Sequence, residues 1–144
     1  MYSGPSGTGK TYISAGLCYD ALRCGYEACF RDMNDILATL WLKELTPIAV
    51  MESKRLIEAQ LIVIDDVMPL PLGREDGNQF FVFLNQIYET TSFIIKTNKS
   101  PAEWARSVDD ETLAPALLDR LLYKCQLIQL QGKNYRMQNR QTIF

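Results

Sequence analysis

The residues that most clearly indicate a functional site lie near the start of the chain. They form an octapeptide that fits the phosphate-loop pattern of a glycine, four residues, and then Gly-Lys-Ser/Thr. Its members are Gly4, Pro5, Ser6, Gly7, Thr8, Gly9, Lys10 and Thr11. The pattern predicts a site for a nucleoside triphosphate bound with Mg²⁺. The alternative is an ordinary glycine-rich turn before a helix.

The residue types in this octapeptide suit contact with phosphate. Glycines allow backbone angles that other residues resist, so successive N–H groups can turn inward and form an anion nest. A helix predicted over Lys10–Arg23 would begin at this nest and direct the positive end of its dipole at the phosphates. The Lys10 ammonium would reach the β- and γ-phosphates, and the Thr11 hydroxyl would bind Mg²⁺.

A pair of acidic residues follows a short apolar run. The run, Leu61–Ile64, precedes Asp65 and Asp66 and is typical of a strand buried on both faces. Carboxylates at its end would lie beside the phosphate loop, where open α/β sheets bind ligands. We predict that Asp65 holds Mg²⁺, directly or through water, and that Asp66 is the general base for the attacking water. The alternative is a strand that ends in a solvated acidic turn.

Two further polar residues are candidates with open alternatives. Asn98 follows an apolar strand and could position the hydrolytic water or contact the γ-phosphate, or it could start a turn before Ser100 and Pro101. Arg120 lies in a predicted helix and could be an arginine finger that serves a neighbouring subunit. A surface ion pair is the commoner role for a lone arginine.

Helices and strands are predicted to alternate along the chain. The predicted helices cover Lys10–Arg23, a segment from Asn34 or Asp35 to about Lys43, Met51–Ala59, Gly77–Tyr88 and Leu113–Tyr123. The predicted strands cover Glu27–Arg31, Leu61–Ile64, Ser92–Thr97 and Cys125–Gln131. Pro47 is expected to break the helical pattern. This alternation predicts an α/β fold with a mostly parallel sheet and helices on both faces.

Length and composition narrow the class of protein. The 144 residues predict a single domain over residues 1–144, with residues 136–144 as a frayed tail. The net charge of −2 gives no global basicity, so a DNA contact would need a local patch or a further segment. Four cysteines without a CxxC pair, and no histidine, argue against zinc and favour a reducing cytosol. Without a signal peptide or membrane-length apolar run, we expect a cytoplasmic protein with no membrane partner.

Taken in order, these residues resemble the IstB/DnaC branch of the AAA+ ATPases, most closely IstB. The resemblance covers nearly the whole chain, and it implies a three-layer P-loop NTPase (AAA+) domain. Asp66–Leu72 resembles the family's D-[DE]-x-G-x-L-P-L stretch, and Gly132–Arg136 resembles its terminal GxSYR segment. The other matching segments are Gly4–Thr11, Leu61–Asp66, Ile94–Asn98, Glu103–Trp104 and Leu117–Leu122.

The resemblance implies an ATPase with ATP and Mg²⁺ as cofactors. It implies a transposition helper that assembles on DNA as a homo-oligomer and engages a transposase. The alternative is a DnaC-like loader of the replicative helicase. By position, Lys10 and Thr11 are Walker A residues, Asp65 and Asp66 are Walker B residues, Asn98 is the sensor-1 residue, and Arg120 is the finger. A small-molecule kinase is the rival from another class, but it would need an arginine-rich lid that the sequence does not show.

This chain differs from the family pattern in three ways. Asp66 replaces the glutamate common at this position, and Lys96 stands where a small hydroxylated residue is usual. The family's N-terminal helical region and first strand are expected to be missing, which would leave strands Ser92–Thr97 and Cys125–Gln131 each without a neighbour. We therefore expect a truncated chain, a partial gene product or a chain completed by a partner segment. By itself this chain is expected to bind ATP weakly and to unfold readily.

Overall fold

Parallel strands and helices alternate along the chain, as predicted. The computed structural model describes residues 1–67 and 71–132, so the predicted frayed tail and most of the GxSYR-like segment lie outside the described residues. The strands are β1 (Tyr2–Ser3), β2 (Ala28–Asp32), β3 (Leu61–Asp65), β4 (Ser92–Ile95) and β5 (Ile128–Gln129). The helices are α1 (Lys10–Arg23), α2 (Met33–Leu42), α3 (Pro47–Glu58), α4 (Arg74–Ile87), α5 (Pro101–Ser107) and α6 (Leu113–Leu122).

The central sheet has three strands in the order β2-β3-β4. Its middle strand β3 buries Ile62, Val63 and Ile64 completely, which confirms a strand covered on both faces. In the parallel register Asp32 lies beside Asp65, and Ile64 lies beside Ile95. Asp65 at the end of β3 therefore lies at the same edge of the sheet as the carboxyl ends of β2 and β4.

The structure contains a short first strand, so the expectation that the family's first strand is missing is wrong. Tyr2–Ser3 pairs in parallel with β5, and Tyr2 also forms a bridge with Lys96 after β4. The Thr97 N–H donates to the Tyr2 carbonyl at 3.0 Å. The strand order across both sheets is thus β2-β3-β4-β1-β5. Two residues are too few to show any hydrophobic periodicity, which is why the sequence did not reveal this strand.

Local capping explains most differences between predicted and observed helices. Pro47 begins α3 where we expected it to break the pattern, because a proline fits the first helical turn. The Thr46 hydroxyl caps this helix by accepting from the Ala49 N–H at 3.2 Å. Helix α5 was not predicted, and it begins with a reciprocal capping box between Ser100 and Glu103.

Helix α2 packs its apolar face into the core and presents its end to solvent. Ile36 and Leu40 are buried, and Leu37 is partly buried. Trp41 is 44% exposed, and its indole N–H donates to Asp76 on α4 at 2.6 Å. The apolar face of α2 therefore lies in the core as far as Leu40, and the helix leaves the core at Trp41. Within residues 1–67 and 71–132, no helix has the length and apolar character needed to cross a membrane.

Candidate nucleotide site

The phosphate loop connects β1 to α1 and takes the backbone shape that its glycines allow. Gly4, Gly7 and Gly9 have φ angles of 138°, 80° and 85°. These values lie in the region that glycine enters without steric cost. Gly9 occupies the N-cap of α1 and has no side chain to cap the helix, and no acidic residue lies in the first turn. The first amide groups of α1 are therefore left to an external acceptor such as phosphate.

Lys10 is buried at the start of α1 and points back into the loop. Its ammonium donates to the Gly4 carbonyl at 2.6 Å and to the Pro5 carbonyl at 2.5 Å. The Thr8 hydroxyl donates to the same Pro5 carbonyl at 2.9 Å. The loop's carbonyl oxygens thus hold the ammonium at the base of the predicted phosphate site.

A cleft of about 310 Å³ lies in front of the loop. This volume falls at the lower end of the range for small-molecule sites. Asn98 contributes to the cleft from the turn after β4, so the structure brings it to the phosphate loop. The lining residues are Ser6, Gly7, Gly9, Lys10, Thr11, Tyr12, Lys96 and Asn98.

Asp65 is connected to this cleft by its contact with Lys96, which lines the cleft. The Lys96 ammonium lies 2.6 Å from Asp65 Oδ1 and donates to Thr11 Oγ1 at 3.2 Å. Asp65 Oδ1 is buried and accepts no hydrogen bond from any described residue, so the contact with Lys96 is an ion pair without hydrogen-bond geometry. The two residues predicted to bind Mg²⁺ therefore converge on one cationic group.

Asp66 follows directly after β3 with a left-handed backbone conformation, at φ 54°. Such a conformation is uncommon outside glycine, although aspartate tolerates it better than most residues. Its carboxylate is half-buried and has no hydrogen-bond or ion-pair partner among the described residues. Asp66 is not among the residues that line the cleft, so its role as general base stays a prediction.

Arg120 lies outside the cleft of its own chain. Its guanidinium joins α6 to α4 by donating to Asn85 at 2.8 Å and by lying 4.6 Å from the centre of the Tyr88 ring. It also forms an ion pair with Asp119 at 2.6 Å. These contacts match the surface ion pair named as the alternative, and a role toward a neighbouring subunit stays a prediction.

Sequence reasoning missed two residues that shape the site. Lys96 was noted only as a departure from the family pattern, but it links Thr11 to Asp65. Thr97 is fully buried, and its hydroxyl accepts from the Trp104 indole at 3.1 Å and from the Lys99 N–H at 3.0 Å. These bonds fix the turn that presents Asn98. No local signal in the sequence marks Lys96, because its contacts depend on which strands are neighbours.

Comparison with protein families matches residues 1–143 to the family described as IstB-like ATP binding protein. The chain belongs to this family. The relationship predicted from the order of the motifs is thereby confirmed.

Two curated relatives belong to insertion sequences. A Bacteroides fragilis protein, whose name describes an ATP-binding protein of an IS21-like insertion sequence, is 48% identical over 98% of this chain and 54% of its own length. A Pseudomonas aeruginosa protein of insertion sequence IS21 is 32% identical over 95% of this chain and 52% of its own length. The chain spans about half the length of the curated relatives it matches.

Solved structures with low sequence identity share the fold. DnaA from Aquifex aeolicus, bound to AMPPCP, gives a TM-score of 0.70 at 18% identity and covers 93% of this chain and 41% of its own. The DnaC helicase loader gives a TM-score of 0.69 at 18% identity and covers 90% and 76%. The fold is therefore that of the AAA+ P-loop domains, as predicted.

Proposed function

We propose that this chain binds ATP with Mg²⁺ and hydrolyses it as the nucleotide-dependent part of a transposition helper. The observation that carries the proposal is the convergence of Thr11 and Asp65 beside the phosphate loop. Family membership and the insertion-sequence relatives support the transposition role. The helicase-loader alternative has support only from fold similarity at 18% identity, so we do not prefer it.

The residues beside the loop fit a magnesium ion. Mg²⁺ prefers oxygen ligands and keeps several waters, so it needs only one or two protein side chains in addition to phosphate oxygens. Thr11 supplies a hydroxyl and Asp65 supplies a buried carboxylate oxygen, and both oxygens contact the Lys96 ammonium in this structure. When bound, the ion would neutralise negative charge on the phosphates during transfer.

The remaining polar side chains have distinct tasks in the proposed reaction. Lys10 and the loop N–H groups bind the phosphates. Asn98 orients a water molecule in the cleft, and Asp66 accepts its proton as the water oxygen bonds to the γ-phosphorus. The bond from that phosphorus to the β–γ bridging oxygen breaks, and ADP and phosphate leave. Arg120 acts on the nucleotide of a neighbouring subunit in an ATP-dependent homo-oligomer.

The proposed partners are DNA and a transposase, in the cytoplasm. The chain's net charge of −2 offers no general attraction to DNA. We therefore assign the DNA contact to a local surface of the assembled oligomer or to protein sequence beyond these 144 residues. DNA binding by the oligomer would link the nucleotide state of each site to the assembly on DNA.

Nucleotide binding and hydrolysis by two variants test the proposal. Lys10→Ala is expected to weaken Mg·ATP binding at least tenfold, because the buried ammonium is the main positive charge of the loop. Asp66→Asn is expected to keep the wild-type dissociation constant and to lower hydrolysis at least a hundredfold, as expected for a general base. Binding is measured by isothermal titration, and hydrolysis by phosphate release with and without duplex DNA.

Lys54→Ala is the matched control, because this lysine is exposed on α3 and pairs only with Glu58 among the described residues. It should leave both quantities unchanged. A rise in wild-type hydrolysis on addition of duplex DNA would place the DNA contact within these 144 residues. Unchanged hydrolysis by Asp66→Asn would reassign the base, and the absence of ATP binding by the wild type would refute the proposed function.

A further inference from the structure

The Lys96 ammonium contacts both side chains that the proposed ATP site would offer to a divalent cation. It contacts Asp65 Oδ1 at 2.6 Å and Thr11 Oγ1 at 3.2 Å. Mg²⁺ lies about 2.0–2.1 Å from its oxygen ligands, so an ion and an ammonium group cannot share this space. The two cations therefore exclude each other at Asp65.

The backbone around Lys96 places its side chain at this point. The Lys96 N–H donates to the Ile64 carbonyl at 3.0 Å, and its own carbonyl accepts from the Val67 N–H at 3.3 Å. Both partners flank Asp65 and Asp66, so the lysine is paired with the segment that carries the acidic residues. Its side chain is only 14% exposed, and that of Asp65 is 19% exposed. Sheet pairing thus builds the contact, which is not a chance meeting of two surface side chains.

The ion pair with Lys96 offsets the free-energy cost of burying the Asp65 carboxylate. A carboxylate with a buried oxygen and no hydrogen-bond donor is costly unless a positive charge lies beside it. Lys96 provides that charge among the described residues. It also lines the cleft in front of the phosphate loop, where a triphosphate would bring several negative charges.

We propose that Lys96 is a built-in counter-cation that substitutes for Mg²⁺ in the nucleotide site. It supports binding of ATP when no divalent cation is present, and it leaves Asp65 when Mg²⁺ enters. This inference rests on the proposed function. It adds that the site of this chain is less dependent on Mg²⁺ than a site in which a neutral side chain stands at this position.

The quantity that tests this inference is the dissociation constant for ATP in EDTA divided by the dissociation constant for ATP in millimolar Mg²⁺. Without Lys96 the metal-free site loses a positive charge next to the phosphates, so binding in EDTA weakens. With Mg²⁺ the same loss removes a competitor for Asp65, so binding is kept. The ratio should rise at least tenfold in Lys96→Met and in Lys96→Gln.

Two controls separate this effect from a general loss of charge. Lys96→Arg keeps a cation at the position and should leave the ratio within about threefold of the wild-type value. Lys54→Met removes a lysine that is 73% exposed on α3 and pairs with Glu58 at 3.8 Å, so its ratio should equal that of the wild type. Binding is followed with a fluorescent ATP analogue, and thermal unfolding checks that each variant is folded.

Each outcome of the titrations has a defined meaning. A rise in the ratio that is confined to the neutral Lys96 variants supports the inference. An unchanged ratio in those variants, while the wild type binds ATP, overturns the inference and leaves the proposed function in place. An equal rise in Lys54→Met also overturns it. If the wild type binds no ATP in Mg²⁺, both the inference and the proposed function fail.

Discussion

Gly4 shows how one residue ties the phosphate loop to a distant part of the chain. Its φ angle is 138°, and a Cβ added to it would lie 2.2 Å from the carbonyl oxygen of Leu130. That oxygen belongs to the backbone just after β5, which cannot move aside cheaply. Gly4 is therefore required both by its own conformation and by the close approach of a second segment.

We predict that Gly4→Ala destabilises the protein by at least about 2 kcal/mol, because both strain and a backbone clash oppose the new methyl group. Gly16→Ala is the control, since Gly16 lies within α1 with open space around its Cβ position. That change should stabilise the protein by about 0.5–1 kcal/mol. Urea unfolding measures both. Equal stability of the two variants would contradict the role given to Gly4.

The candidate site was partly visible in the sequence at the level of these single residues. The phosphate-loop residues and Asp65 follow from spacing and residue type, because both motifs depend on local chemistry. The pairing of Lys96 with Asp65 and Thr11 does not, because it depends on which strands are neighbours. The family pattern also offered no guide to Lys96, since this chain departs from it there.

Helix α3 is attached to the edge of the central sheet by an ion pair. Arg31 on β2 donates to Glu52 on α3 at 2.7 Å, and both side chains are about one-third exposed. The hydrogen bond from Arg31, and then its charge, hold the pKa of the Glu52 carboxyl below its ordinary value. A carboxyl group whose pKa is lowered by folding stabilises the folded state above its unfolded pKa. That contribution is lost as the pH falls through the folded pKa.

We predict a coupling free energy of about 0.5 kcal/mol between Arg31 and Glu52 at pH 6, as is typical of partly exposed pairs. The coupling should shrink as the pH falls through the lowered folded-state pKa of Glu52, because the protonated carboxyl carries no charge. A double-mutant cycle with Arg31→Gln and Glu52→Gln, measured by urea unfolding at pH 6 and pH 3, gives this value. A coupling that is the same at both pH values would show that charge does not hold α3 to β2.

The type of most elements was predictable, whereas several boundaries were not. The phosphate loop before α1 and Gly25 after it gave this helix its correct bounds, and the apolar run gave β3 to within one residue. The starts of α3 and α5 are set by hydroxyl caps at Thr46 and Ser100, each followed by a proline that fits the first helical turn. Helix propensity alone treats such a proline as a helix breaker, so it places these starts too late or misses them.

Tyr2 connects the two β-sheets of the described part of the chain, because it pairs with β5 and forms a bridge with Lys96. The three-stranded sheet holds the buried strand β3, whereas both residues of β5 are exposed. The smaller sheet carries the phosphate loop, which follows directly after β1. The candidate nucleotide cleft therefore combines a well-buried sheet, which ends at Asp65 and its partner Lys96, with a more exposed sheet that carries the phosphate loop.

We predict that the smaller sheet opens before the larger one. The amides of Ile128 and Leu130, which donate to Met1 and Ser3 at 2.8 and 2.9 Å, should exchange with solvent at least tenfold faster than those of Ile62 and Ile64. Few buried apolar contacts cover the first pair, and local opening follows such coverage. Hydrogen exchange followed by NMR measures the rates. Equal protection in both sheets would show that they unfold as one unit.

The order of residues along the chain was enough to establish the phosphate loop, the acidic strand end and the alternating α/β pattern, because each is a local relation of spacing and polarity. The fold alone established that Tyr2–Ser3 completes the strand order, that Arg120 lies away from its own cleft, and that Lys96 faces Asp65. The Thr11 and Lys96 side chains meet across 85 positions of sequence. Contacts at such separation are set by strand pairing and packing, and no local pattern records them.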